Sequence, residues 1–124
     1  MSAFVAKRIA GFLGFTAILA GTFGAHMLHG LLEKSGTREI WQTGVLFHLL
    51  HAVALLALGE WRPLPRLAYA LILSGTTIFS GSLYLLAATN IRWFGAITPF
   101  GGLGMLAGWA ALALTKRDSE VGRR

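Results

Sequence analysis

LAYALILSGTTIFSGSLYLLA, Leu67 to Ala87, contains no Asp, Glu, Lys, Arg or His. A helix rises about 1.5 Å per residue and the hydrocarbon core of a bilayer is about 30 Å thick, so about 20 apolar residues suffice to cross it. This stretch meets that length, and three others accompany it: Ile9 to Leu28, Thr43 to Leu58 and Trp93 to Leu114. The first holds only His26 as an ionisable group, the second only His48 and His51, and the last two none. Charged residues make up 13% of the chain and hydrophobic ones 55%, against about 25% charged in a soluble domain. The pattern predicts an all-α membrane protein, one four-transmembrane-helix bundle over residues 1–124.

The net charge of +6 is distributed as membrane topology rather than as a nucleic-acid surface. The basic residues form neither a groove nor a helical stripe, so no nucleic acid partner is expected. They sit at the ends of the apolar segments. Lys7, Arg8, Arg62, Arg66, Lys116, Arg117, Arg123 and Arg124 share one face if four helices cross, and only Lys34, Arg38 and Arg92 occupy the other. The positive-inside rule then places both termini in the cytoplasm. The first segment could be read as a cleaved signal, with Thr22-Phe23-Gly24 as a weak cleavage site. Its long apolar run and the three spans after it favour a retained anchor. The absence of cysteine excludes disulfides, thiolate metal sites, covalent c-type haem and a cysteine nucleophile.

Small residues recur along the spans: Ala10, Gly14, Ala17, Gly21 and Ala25 in the first, Ser74, Thr77, Gly81 and Ala88 in the third, and Gly101, Gly104 and Gly108 in the fourth. Such faces let helix backbones approach closely in lipid. Trp41, Trp61 and Trp93 are expected at the membrane borders, with Trp109 inside a span. Arg62-Pro63-Leu64-Pro65-Arg66 is expected as a tight turn, and the connection from His29 to Gln42 as the site of a short surface helix. Thr98-Pro99 leaves two readings open: a kinked fourth helix from Trp93, or a helix that begins at Pro99 with Thr98 as its cap. Phe23, Ala25 and Leu28 stand at one fixed offset from Phe79, Gly81 and Tyr84, and Ala54, Leu56, Ala57 and Leu58 at the same offset from Ala110, Leu112, Ala113 and Leu114. A duplicated helical hairpin explains these matches, and so does apolar low complexity.

The candidate chemistry lies in a polar and histidine cluster: His26, His48, His51, Tyr84 and Thr98. His26 and His29 end the first span, and His48 and His51 lie in the first half of the second. Histidines three apart share a helix face, and an antiparallel hairpin puts both pairs in the outer half of the membrane. Imidazole suits zinc, copper or haem iron, with His26 and His51 as the candidate metal ligands. The bland alternative is hydrogen bonding between helices, and no carboxylate lies inside the spans to balance a metal's charge. No cofactor is expected. Tyr84 and Ser80, with Thr98 and carbonyls freed near Pro99, are a second candidate polar pocket. No hydrolase elbow, phosphate loop or paired carboxylate is present.

Gly21-Thr22-Phe23-Gly24-Ala25-His26 looks like the G-A-F-G-A-H signature of a known family. Trp41-Gln42-Thr43-Gly44 with His48 and His51-Ala52-Val53-Ala54-Leu55-Leu56 resembles its second-helix motif. Phe79-Ser80-Gly81-Ser82-Leu83-Tyr84 resembles its third, and Thr98-Pro99-Phe100-Gly101-Gly102 followed by Leu106-Ala107-Gly108-Trp109 its fourth. The chain thus resembles the YgdD/YwdK-like small inner-membrane proteins, the domain of unknown function 423, which include relatives of transmembrane protein 256. Thr22 stands where the signature usually has alanine, and His48 where some relatives carry glutamine or another polar residue. The resemblance implies four transmembrane helices, a bacterial inner (plasma) membrane location and no established activity. It fits His26 and His51 best, which suits hydrogen bonding more than a full coordination shell.

Gly-rich faces, small size and no catalytic groups point to a non-enzymatic packing or interaction component. Its expected partners are the lipid bilayer and either copies of itself or another membrane protein. A small ion or solute transporter or channel component, and a histidine-based metal or haem binding protein, are the rival expectations.

Overall fold

A computed structural model of the protein describes residues 1–116 and contains five helices in that range: α1 (Ala3–His26), α2 (His29–Ser35), α3 (Arg38–Leu58), α4 (Arg66–Thr89) and α5 (Trp93–Ala113). α1, α3, α4 and α5 are each long and apolar enough to cross a membrane, so the expected four spans are present. Arg117, Arg123 and Arg124, counted in the expected charge bias, lie outside the described residues. α1 begins earlier than the apolar run alone predicts. The Ser2 hydroxyl accepts the Val5 N–H at 3.2 Å, and a capped first turn carries the helix through Lys7 and Arg8.

α2 is the short helix expected between the first two spans. Gly36 ends it with φ at 68°, a conformation that a side chain resists. Gly36 N–H donates to the Glu33 carbonyl and Thr37 N–H to that of Leu32, the paired bonds of a Schellman stop. Leu32 is 1% exposed and pins α2 beside Trp41 and Ala87. The Thr37 hydroxyl donates to the Ala87 carbonyl at 2.7 Å, which ties this end of α3 to the end of α4. At the opposite end Lys7 pairs with Glu60 at 3.0 Å. This pair and Arg38–Glu33, the ion pairs found among the described residues, are about half exposed and position chain ends more than they stabilise.

Close backbone approach joins α1 to α3, α3 to α4 and α4 to α5. The α4–α5 seam is the tightest. A Cβ added at Gly75 would lie 2.5 Å from the Met105 nitrogen. One added at Gly101 would meet the Phe79 backbone, and one at Gly108 would lie 2.6 Å from Ile72 Cγ1. The glycines of the fourth span are therefore consumed inside the chain, where backbone touches backbone. The expected face of the third span is corrected: Ser74 and Thr77 point outward and bond their own helix, and Gly81 meets nothing within 4 Å. Gly75, Thr76, Ser80 and Ser82 are buried instead. The first span's face divides. Ala10 and Ala17 are buried, Gly21 meets Val45, and Gly14 faces open space.

α5 starts at Trp93 and continues through Pro99, which decides between the two sequence readings. Trp61 and Trp93 are exposed as border residues should be. Trp41 is not: the residue is 9% exposed, and its ring packs on Gly24 and donates from Nε1 to the Ala20 carbonyl at 2.9 Å. The indole bridges α1 and α3 because its N–H finds in a neighbouring helix the acceptor that it would otherwise seek in headgroups.

Candidate functional site

The five residues expected as one cluster occupy four places. His26 is exposed and its Nδ1 lies 3.1 Å from the Thr22 carbonyl of its own helix. Thr98 meets Ser82 at 2.7 Å between α4 and α5, away from Tyr84. His51 faces α5, where Trp109 Nε1 donates to its Nε2 at 3.0 Å. Its other nitrogen, Nδ1, donates to the Phe47 carbonyl at 2.8 Å, so both ring nitrogens are engaged. Among the described residues no three His, Cys, Asp or Glu side chains are grouped to hold a metal ion. The continuous α5 leaves no broken helix at Thr98–Pro99 to line a solute path.

His48 and Tyr84 are the pair that the structure does unite. His48 Nδ1 lies 2.9 Å from the Tyr84 hydroxyl, and its Nε2 lies 3.0 Å from Thr16 Oγ1. Thr16 Oγ1 is also 3.0 Å from the carbonyls of Phe12 and Leu13. One proton arrangement satisfies every donor: Tyr84 O–H to His48 Nδ1, His48 Nε2–H to Thr16 Oγ1, and Thr16 O–H to its own helix. The reverse tautomer leaves the Tyr84 proton without an acceptor, so the assignment follows from the network. A neutral imidazole thus bolts α1, α3 and α4 together near the midpoint of α3. Both His48 and His51 lie near mid-depth rather than in one outer half.

The floor beneath this network is built from close approach. Tyr84 packs on Trp41 with ring centroids 4.7 Å apart. It lies over Gly44, where an added Cβ would come within 2.9 Å of the Tyr84 ring. Ser80, named with the second candidate polar pocket, donates to the Gly44 carbonyl at 2.8 Å. Tyr69, wholly buried, donates to the Ala6 carbonyl at 2.9 Å. That bond joins α4 to α1 directly, whereas the two helix backbones do not approach closely.

The gap is a groove of about 550 Å³ between α1 and α4. Ile9, Phe12 and Leu13 form one wall, Leu73 and Gly81 the other, and His48 and Tyr84 its inner end. Arg8 lines its far end, with its guanidinium 4.7 Å above the Phe4 ring. Thr76 also lines the groove and is 0% exposed. Its hydroxyl has no hydrogen-bond partner, the one such buried side-chain atom among the described residues. Sequence reading missed Thr16 and Thr76. Their signal was a hydroxyl placed inside an apolar span, but spacing alone cannot separate a Thr that bonds its own helix from one that does not.

A second, shallower notch of about 520 Å³ runs along the outside of α1, lined by Gly11, Gly14, Phe15, Ile18, Leu19 and Thr22. A Cβ at Gly11 or Gly14 would meet nothing within 4 Å.

Residues 20–102 match a family described as protein of unknown function (DUF423). Similar proteins include a UPF0382 membrane protein of Staphylococcus haemolyticus, 39% identical over 77% of this chain and 80% of its own length. The UPF0382 membrane protein YwdK of Bacillus subtilis is 35% identical, covering 79% of this chain and 84% of its own. The UPF0382 inner membrane protein YgdD of Escherichia coli is 38% identical, covering 80% and 79%. No solved structure matches the chain.

Proposed function

The chain belongs to the DUF423 family of membrane proteins, and from that premise we propose that it is a non-enzymatic interaction component of the bacterial inner membrane, with both termini cytoplasmic. It works by associating through the outer face of α1 with a second copy or with another membrane protein. The observation that carries this reading is the α1 notch. The glycines of α5 are spent on α4, whereas Gly11 and Gly14 leave backbone open to a neighbour. In lipid, helix association rests on close packing at such small residues. The inner-membrane assignment follows the name of the Escherichia coli relative. The orientation follows Lys7, Arg8, Arg62 and Arg66, gathered at one end of the bundle.

The chain has no cysteine, so single cysteines report contacts without background. Gly14→Cys and Ile18→Cys in membranes should give oxidised dimers or a covalent adduct with one partner, and Leu103→Cys on the outside of α5 should not. Equal cross-linking from both faces, or none from α1 together with a monomer by native mass spectrometry, would overturn the proposal.

A further inference from the structure

We infer that the groove between α1 and α4 holds one acyl chain of an anionic phospholipid, whose phosphate rests on Arg8. The groove lies on a different face of α1 from Gly11 and Gly14, so a protein neighbour at the notch does not compete for it.

The tail follows from the groove's surface and length. That surface is almost wholly apolar, with Ile9, Phe12 and Leu13 opposite Leu73. The groups at its inner end have nothing to give a polar ligand. Thr16, His48 and Tyr84 spend their donor protons on one another and on α1. From the level of Val5 to that of Thr16 the groove runs about 16 Å, at about 1.5 Å per residue. One leaflet contributes half of a hydrocarbon core about 30 Å thick, or about 15 Å. A chain that enters at the border beside the first turn of α1 therefore ends where the groove does. A partner's helix does not fit. It is about 10 Å across with its side chains and would fill about 1,300 Å³ over that length, against about 550 Å³ in the groove.

The headgroup follows from charge. Arg8 lines the groove at the end away from His48 and Tyr84. Its guanidinium lies 4.7 Å above the Phe4 ring, one turn nearer the helix end, which draws the charge toward headgroup level. Among the described residues Arg8 has no carboxylate partner. Glu60, the acid at this end among those residues, is taken by Lys7 at 3.0 Å. Arg62, Arg66 and Lys116 add further positive charge there. A guanidinium matches a phosphate through two parallel N–H donors. A zwitterionic lipid carries an ammonium into this cationic surrounding, and an anionic lipid does not, so the net negative headgroup is preferred.

The test is native mass spectrometry of the full chain in a non-ionic detergent, titrated with dioleoyl phosphatidylglycerol or dioleoyl phosphatidylcholine. Phosphatidylglycerol should bind saturably at one per chain and about 5-fold more tightly than phosphatidylcholine, the worth of one basic residue at an anionic headgroup. Excess inorganic phosphate should not displace it. Arg8→Gln should erase the preference between the two lipids. Arg66→Gln, at the same end of the bundle but outside the groove, should keep it. Gly81→Leu places a side chain into open groove space and should abolish saturable binding of either lipid while the helical spectrum is kept. Equal affinity of the native chain for the two lipids, equal losses in Arg8→Gln and Arg66→Gln, or unchanged binding in Gly81→Leu would overturn the inference. Displacement by inorganic phosphate would do so in favour of a site for the free anion.

Discussion

Replacing Gly75 with alanine sets two effects of opposite sign against each other. Alanine is favoured over glycine in a helix interior by about 0.8–1.0 kcal/mol. The new methyl, however, would lie 2.5 Å from the Met105 nitrogen and 2.8 Å from both the Gly101 oxygen and the Gly104 carbonyl carbon. All three are backbone atoms, so no side chain can turn aside. Relief requires α5 to retreat by about 1 Å, and a gap of about 0.5–1 Å forfeits a quarter to a half of each dispersion contact it opens. Overpacking of this kind costs about 1–3 kcal/mol, and the tightness here places it in the upper part of that range. The net expectation is destabilisation by about 1–2 kcal/mol. Gly81→Ala on the same helix is the control. Its methyl meets nothing within 4 Å, so only the propensity gain remains, and stability should hold or rise by up to about 1 kcal/mol. Equilibrium unfolding in mixed micelles, followed by far-ultraviolet circular dichroism, reads both. Equal stability of the two variants would refute a backbone-to-backbone α4–α5 seam.

Tyr69→Phe deletes the buried bond to the Ala6 carbonyl and should cost about 1 kcal/mol in the same assay. Trp109→Phe keeps an aromatic ring against His51 but removes the N–H that donates to it, for an expected loss of about 0.6–1.7 kcal/mol. His26→Ala should change stability by less than about 0.5 kcal/mol, because this imidazole is exposed and bonds only its own helix. A larger loss there would show that His26 has a partner in another helix.

The spans were legible because the bilayer imposes one length and one polarity on them, and a 21-residue helix such as α5 satisfies both. Their ends were less so. Ser2 sets a helix boundary through its hydroxyl and Gly36 through a left-handed φ and a pair of backbone bonds, which an apolar run does not report. The histidines show where sequence reading stops. Their three-residue spacing fixed which neighbours share a helix face but not which helix that face meets. His48 therefore met Thr16 and Tyr84, His51 met Trp109, and His26 met neither. The small-residue pattern failed for a related reason. Gly75 and Gly81 look alike in sequence, yet one is pressed against α5 and the other faces a groove, a distinction set by how far α4 leans from each neighbour.

The account stands on a polypeptide that crosses the membrane four times and returns to the side from which it started. Cysteines placed singly at Ser2, Lys34, Arg92 and Thr115 of this cysteine-free chain, labelled with a membrane-impermeant maleimide on sealed inverted vesicles and on intact cells, test that directly. Ser2 and Thr115 should react only from the cytoplasmic face, and Lys34 and Arg92 only from the other. Labelling of Ser2 and Lys34 from the same side, or of Ser2 and Thr115 from opposite sides, would contradict it.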